Sequence, residues 1–177
     1  SQALQELFFN RGMKVKFHEQ TNHGGNTDFL NMLDQSRLAS KKISKENVIR
    51  SQNDIRGIPV PKNGIYAGPS SYIAYHGDNK VAHFRIEAEG FGGAPVIFDA
   101  RLSVQDSPNS AGIVIDAIRY LQVAREMGLV GSLRGPSAST QKTPPTQMMI
   151  QDAYEECKAL AERRITDNVR KYNVVIN

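Results

Sequence analysis

Apolar positions along the chain switch between two periods, and the switches outline its elements. Leu4, Leu7 and Phe8 fall at helical spacing, and Gly12, after Asn10 and Arg11, offers a C-terminal stop. Residues 13–18 alternate apolar and polar, which predicts a strand. A polar loop is expected over residues 21–26, where Gly24 and Gly25 allow backbone turns that other residues resist. Residues 28–47 mix Phe29, Leu30, Leu33 and Leu38 with charges and predict helical turns. Residues 57–71 hold Gly57, Pro59, Pro61, Gly64, Gly68 and Pro69, so an irregular connection with a short strand near Ile65 is expected.

The clearest local unit follows. Ala82, Phe84, Ile86 and Ala88 share one face of a strand, and His83, Arg85, Glu87 and Glu89 share the other. Gly90-Phe91-Gly92-Gly93 makes the turn, and Val96, Phe98, Ala100, Leu102 and Val104 line one face of the return strand. Asp99 and Arg101 lie opposite, where they allow cross-strand charge pairs; that mixed-charge face is either solvated or a polar subunit contact. Residues 106–110 then start a long helix over 111–127, ended by Gly128, with an apolar stripe of Ile113, Ala117, Tyr120, Leu121 and Ala124. Gly, Ser, Thr and Pro dominate residues 131–145, which predicts a loop. A last helix is expected over 147–164 and a terminal strand over 172–176.

Composition narrows the classes. With 177 residues, 40% hydrophobic and 23% charged, the chain supports one sizeable core or two small ones. No apolar run approaches the ~20 residues of a membrane span, and mean hydropathy is -0.43. A net charge of +4 favours anionic small molecules as readily as nucleic acid, and no basic stripe with interleaved aromatics supports the latter. The single cysteine, Cys157, has no internal disulfide partner, and no secretory leader opens the stretch, so a cytoplasmic protein is expected. Ser1 leads directly into a helical pattern, as in a piece of a longer protein.

Several familiar motifs are missing from the sequence. It has no Cys pair, no HExxH and no GxSxG, and His18, His23, His76 and His83 lack metal-ligand spacing; no metal site is expected. Gly90-Phe91-Gly92-Gly93 sits between strands rather than before a helix, so it is a turn and not a phosphate loop. What stands out is lysine beside polar loops. Lys41 and Lys45 are four apart, on one helical face; their repulsion is a cost that a bound phosphate reverses, although a solvated basic helix has the same pattern. Lys80 ends Gly77-Asp78-Asn79-Lys80, a turn into the hairpin, and Lys142 precedes Pro144 and Pro145, which stiffen its position. Alone, each is more often a surface lysine. Asp106 is placed to cap the following helix, and Asn26, Asp28 and Asn31 can bond their own turn.

Together these segments resemble the inositol-phosphate synthases, and most nearly the shorter bacterial type. The stretches that carry the resemblance are Gly24-Gly25-Asn26-Thr27-Asp28-Phe29-Leu30-Asn31, Ser40-Lys41-Lys42-Ile43-Ser44-Lys45, Gly77-Asp78-Asn79-Lys80, Asp106-Ser107-Pro108-Asn109-Ser110-Ala111-Gly112 and Lys142-Thr143-Pro144-Pro145. They keep the family's order and approximate spacing over residues 11–150. The resemblance implies conversion of glucose 6-phosphate to an inositol phosphate with bound, regenerated NAD, through oxidation at C5, enolisation, aldol closure between C6 and C1, and reduction. It implies Lys41 and Lys80 as proton carriers or oxyanion stabilisers at the oxidation and enolisation centre. Lys142 would polarise the C1 aldehyde, and Lys45 would hold phosphate or nearby substrate oxygens, with Asn31 also on the substrate. Asn26, Thr27, Asp28, Lys41, Gly77, Asp78, Asp106 and Ser107 fall in the cofactor-binding stretches; Thr27 departs from the asparagine of eukaryotic members.

The fold implied is α+β, a mixed or antiparallel sheet covered by helices, similar to the C-terminal domain of glyceraldehyde-3-phosphate dehydrogenase-type enzymes. Residues 1–150 would form the catalytic and oligomerisation domain of a homotetramer, and 151–177 a C-terminal helix and tail. The family's N-terminal Rossmann half and its GDD segment have no counterpart in this chain. No nucleic acid and no membrane enter the reading, and a non-catalytic sugar-phosphate-binding relative is its alternative.

Overall fold

The structure, a computed structural model, describes residues 2–164; the strand expected over 172–176 lies outside them. The described residues fall into two compact units, 2–109 and 110–164.

The first unit is built on a four-stranded mixed sheet. In chain order it contains α1 (Gln2–Phe9), β1 (Lys14–Gly24), the short α2 (Thr27–Leu30), α3 (Gln35–Ile55), β2 (Ile65–Tyr72), β3 (Asn79–Glu89) and β4 (Pro95–Gln105). The sheet order is β2-β1-β3-β4, with β1 and β2 parallel and the other two pairings antiparallel. The parallel pair requires a crossover, supplied here by α2 and α3. This is the α+β mixed sheet that the resemblance implied.

β1 is longer than the alternation suggested. Residues 21–24, expected as loop, continue the strand, because β1 is central and each of them pairs on both sides: Thr21 with Gly68 and His83, Asn22 with Pro69 and Ala82. Asn22 persists in it because its side chain finds partners. The buried Asn22 donates through Nδ2 to Gly68 O at 2.9 Å and accepts from Gln20 Nε2 at 3.0 Å. The role expected for Gly24 and Gly25 changes too. Neither has a positive φ. A Cβ on Gly24 would stand 2.4 Å from the Phe29 ring, and one on Gly25 would stand 2.5 Å from Ile73 O and 2.6 Å from Gly77 N. Both positions need glycine for space, not for turning.

The hairpin matches its pattern. Ile86 pairs with Phe98 and Arg85 with Asp99, across a turn in which Gly92 and Gly93 take φ of 66° and 80°. α1 packs its apolar side against this part of the sheet, where Phe8, Val15, Ile86 and Ala88 are buried together and the Phe8 and Phe98 rings meet edge-on at 6.0 Å. A second cluster, Ile49, Ile65 and Ala67, joins α3 to β2. Each fully buried Val, Ile or Phe among these contributes about 1.5–3 kcal/mol. The opposite face of the sheet carries Glu19, His23, His83, Arg85, Asp99 and Arg101; Arg85 pairs with Asp99 at 3.2 Å and Glu87 at 2.8 Å.

α4 (Asp106–Glu126) leads into the second unit, which also holds α5 (Arg134–Thr140) and α6 (Ile150–Ala161). Of the stripe expected on α4, Ala124 is buried and Tyr120 packs beside it on Leu129, Leu133 and Leu160, whereas Ile113 and Leu121 are 51% and 59% exposed. α5 corrects the expected loop over 131–145. Its residues are weak helix formers, but Gly135 lets it lie directly on α6: a Cβ there would stand 2.6 Å from Glu156 Cβ and 3.0 Å from Cys157 N. Among the described residues, no helix is long and apolar enough to cross a membrane.

Candidate functional site

The site grows from the end of β1. Beyond Gly25, Asn26 leaves the strand with φ -80° and ψ 173° and caps α2, its Oδ1 accepting from the amides of Asp28 at 3.1 Å and Phe29 at 3.3 Å. Capping uses the oxygen alone. The amide nitrogen is left to donate across the chain to Asp106 Oδ2 at 3.2 Å and, more weakly, to Asp78 Oδ1 at 3.5 Å.

Those two carboxylates come from the start of β3 and the start of α4, held together by the strand pairing. The register Asn79–Gln105 and the bond from Asp106 N to Asp78 O at 2.9 Å bring the segments side by side. Asp78 accepts from Ser107 twice, from its amide at 3.0 Å and its hydroxyl at 2.7 Å. These bonds to the ionised form hold the Asp78 carboxyl below its ordinary pKa, with Asn26 and Lys80 adding to the effect. Lys80 Nζ donates to Asp106 Oδ1 at 2.5 Å. Asp106 is the first residue of α4 and not the cap expected of it, and its carboxylate faces Lys80 and Asn26.

A second cation sits across α2. Lys41, half-buried on α3, pairs with Asp28. Lys45 lies one turn further along α3 and is also half-buried, whereas the intervening Lys42 stands over the Tyr66 ring at 4.9 Å and faces Glu46 at 3.8 Å. Thr27 opens α2 and Asn31 ends it, both exposed. Gly77 takes φ 53° and ψ -128°, and nothing lies within 4 Å of where its Cβ would be.

Asn26, Asp78, Lys80, Asp106 and Ser107 thus form one hydrogen-bonded cluster, with the Asp28–Lys41 pair on the helices that follow Asn26. Lys142 belongs to the second unit, exposed just beyond α5, and the cluster is built without it. Two features escaped the sequence pattern. One is the seat that Gly25 provides for residues 73–77. The other is a group of histidines on the open face of the same strand ends: the His23 and His83 rings meet edge-on at 5.8 Å. Burial, then His83 and His76, lower the His23 pKa. Alternation along β1 and β3 placed His23 and His83 on that face only once their register was known.

A family profile described as myo-inositol-1-phosphate synthase matches residues 1–107. The chain is 40% identical over 162 residues to an inositol-3-phosphate synthase of Mycolicibacterium smegmatis, covering 90% of this chain and 44% of that protein. It is 41% identical over 146 residues to an inositol-3-phosphate synthase of Mycobacterium tuberculosis, covering 82% and 39% respectively. The chain therefore spans less than half the length of these relatives. Among solved structures, a myo-inositol-1-phosphate synthase-related protein of Thermotoga maritima superposes with a TM-score of 0.76 at 28% identity, over 90% of this chain and 41% of that one. The inositol-3-phosphate synthase of Caenorhabditis elegans shares the fold, with a TM-score of 0.74 at 20% identity over 99% and 39%.

Proposed function

The chain belongs to the myo-inositol-1-phosphate synthase family, and on that premise we propose that it carries part of the active site of an NAD-dependent inositol-3-phosphate synthase. The reaction proposed is conversion of D-glucose 6-phosphate to 1D-myo-inositol 3-phosphate in the cytoplasm, with residues 1–150 as the catalytic and oligomerisation part. The observation that supports it most is the cluster at the end of β1, in which Asn26 and Lys80 both donate to Asp106.

The donor set suits one end of NAD. Carboxylates accept from hydroxyl and amide hydrogens, while Asn26 and Lys80 donate. Asp28, Asp78 and Asp106 outnumber Lys41 and Lys80, so these residues fit ribose hydroxyls and a carboxamide better than a pyrophosphate. The bare backbone at Gly77 leaves room beside Asp78 for close approach. In this reading Asn26, Thr27, Asp28, Lys41, Gly77, Asp78, Asp106 and Ser107 hold the cofactor. When bound, it supplies reversible removal and return of hydride at a sugar carbon.

The lysines do the remaining work. Lys80, aimed by Asp106, moves the proton on the oxygen at the carbon being oxidised, and its charge answers the oxyanion formed there. Lys41, held by Asp28, stabilises the enolate. Lys45 binds phosphate, Asn31 a substrate oxygen, and Lys142 polarises the C1 aldehyde during ring closure. Substrate and product are isomers, so no net oxidation occurs. The mixed-charge sheet face around Arg85 and Asp99 is the proposed subunit contact of a homotetramer; a monomer in sedimentation of the full-length protein would refute that contact.

The test uses the full-length protein with glucose 6-phosphate and catalytic NAD. Inositol phosphate should form without NADH accumulating. Lys80→Met and Lys142→Ala should each lower turnover by about 10²-fold or more, with NAD binding retained in Lys142→Ala. No product, with glucose 6-phosphate still bound, would instead identify a non-catalytic sugar-phosphate binder.

A further inference from the structure

Beneath α1, against β1, lies a cavity of about 10 Å³. Gln5 of α1, His18 of β1, Asn53 of α3 and Gly64, just before β2, contribute to its wall. Gln5 and His18 are each 1% exposed. Neither Oε1 nor Nε2 of Gln5, and neither ring nitrogen of His18, has a hydrogen-bond partner among the described residues. Buried polar side-chain atoms in folded proteins are nearly always paired, so two such side chains meeting at one cavity point to a ligand.

The neighbours are already engaged. Asn53 Nδ2 donates to Ile49 O at 3.0 Å, Gly64 O accepts from His18 N at 2.9 Å, and Lys16 pairs with Glu89 at 3.0 Å. The space sits at the lower edge of the ~10–15 Å³ that a cavity needs to hold one water molecule. Charge excludes an ion of the same size: no carboxylate lines the cavity among the described residues, and a bare cation there would lose its hydration uncompensated. An anion would meet an imidazole that burial keeps neutral. A water has two donors and two acceptors, which match an amide carrying one group of each kind and a neutral imidazole carrying one donor and one acceptor nitrogen.

We propose that this cavity is the binding site of a single ordered water that bridges the Gln5 amide to a ring nitrogen of His18. The bridge ties α1 to the central strand, beside the turn that leads into β2. α1 and β1 are consecutive in the chain, and the turn before β2 comes from about 40 residues further on, so the water fastens the start of the described chain to the strand that leads to Asn26.

A crystal structure of the full-length protein near neutral pH, at a resolution that orders solvent, tests this directly. The expected result is one density peak within hydrogen-bond distance of both Gln5 and His18. An empty cavity, or a direct Gln5–His18 bond with no peak, overturns the proposal. Melting temperatures of Gln5→Met, His18→Leu and the double variant supply a second measurement. A bridged pair makes the double variant lose less than the sum of the two single losses, because each single change strands the other partner. Losses that simply add would overturn the bridge even if every variant folds.

Discussion

Asn26→Asp exchanges one amide nitrogen for an oxygen at the centre of the carboxylate cluster and leaves the side chain's length unchanged. The capping oxygen still accepts from Asp28 and Phe29. What changes is the contact with Asp106 Oδ2 at 3.2 Å and Asp78 Oδ1 at 3.5 Å, where a donated hydrogen gives way to like charge. Losing a hydrogen bond to a charged acceptor costs about 1.5–3 kcal/mol. Two like charges ~4 Å apart repel by ~1 kcal/mol in water and ~4 kcal/mol near a protein surface. Asn26 and Asp106 are half-buried, so the repulsion falls between these limits and the total loss is about 2.5–7 kcal/mol. The introduced carboxyl would have its pKa raised in the fold by its two neighbours. Its protonated form can donate as the amide did, so the deficit is fully present above that raised pKa and shrinks as pH falls through it. Urea midpoints of the full-length protein near pH 7.5 and pH 5 measure this, with Asn26→Ser as the control that keeps a capping oxygen and adds no charge. If both variants lose the same stability, and neither deficit depends on pH, the cluster is not organised by the Asn26 amide.

Three further outcomes are expected. Gly25→Ala should cost about 1–3 kcal/mol and weaken NAD binding with it, because the new methyl meets backbone atoms at 2.5 and 2.6 Å that cannot rotate away; an unchanged melting temperature with and without NAD would refute the close approach. Burial lowers the His18 pKa from 6.5 to about 4, so the unfolded chain binds that proton more readily than the fold does. The stability His18 permits is complete above about pH 6.5 and falls by roughly 3 kcal/mol toward pH 4; His18→Leu should flatten this part of the urea-midpoint profile, and an unaltered acid slope would contradict it. Arg85→Ala should change stability by less than about 1 kcal/mol, since its ion pairs are partly exposed, yet shift the full-length protein toward smaller species in sedimentation; an unchanged distribution removes Arg85 from the subunit contact.

The hairpin was legible because its strands largely alternate and its turn is rich in glycine, which left one register compatible with burying Ile86 and packing the half-buried Phe98 beside it. The Arg85–Asp99 pair followed from that register. β1 was only half legible. Its second half is polar, and pairing on two sides, not side-chain hydrophobicity, makes it a strand. α5 was hidden because small residues with poor helix propensity are what allow it to lie against α6, so the packing that forms the helix also removes its signal. At the site, the residues came from a resemblance, whereas their connection did not. Nothing local to Asn26 announces that its amide nitrogen reaches residues 52 and 80 positions away.

Those separations set an order of events in folding. β3 and β4 are joined by a short turn, and hairpins of this kind close in about 1–10 μs. β1 pairs with β3 only after a loop of tens of residues has closed, as in the pairing of His18 with Ile86. The Asn26 bonds to Asp78 and Asp106 need that docking to be complete. Contacts made after the rate-limiting barrier leave the folding rate nearly untouched and appear in the unfolding rate instead. Substitutions at Asn26 should therefore shorten the lifetime of the folded state without slowing its formation, and the chain can possess most of its sheet before it possesses any site.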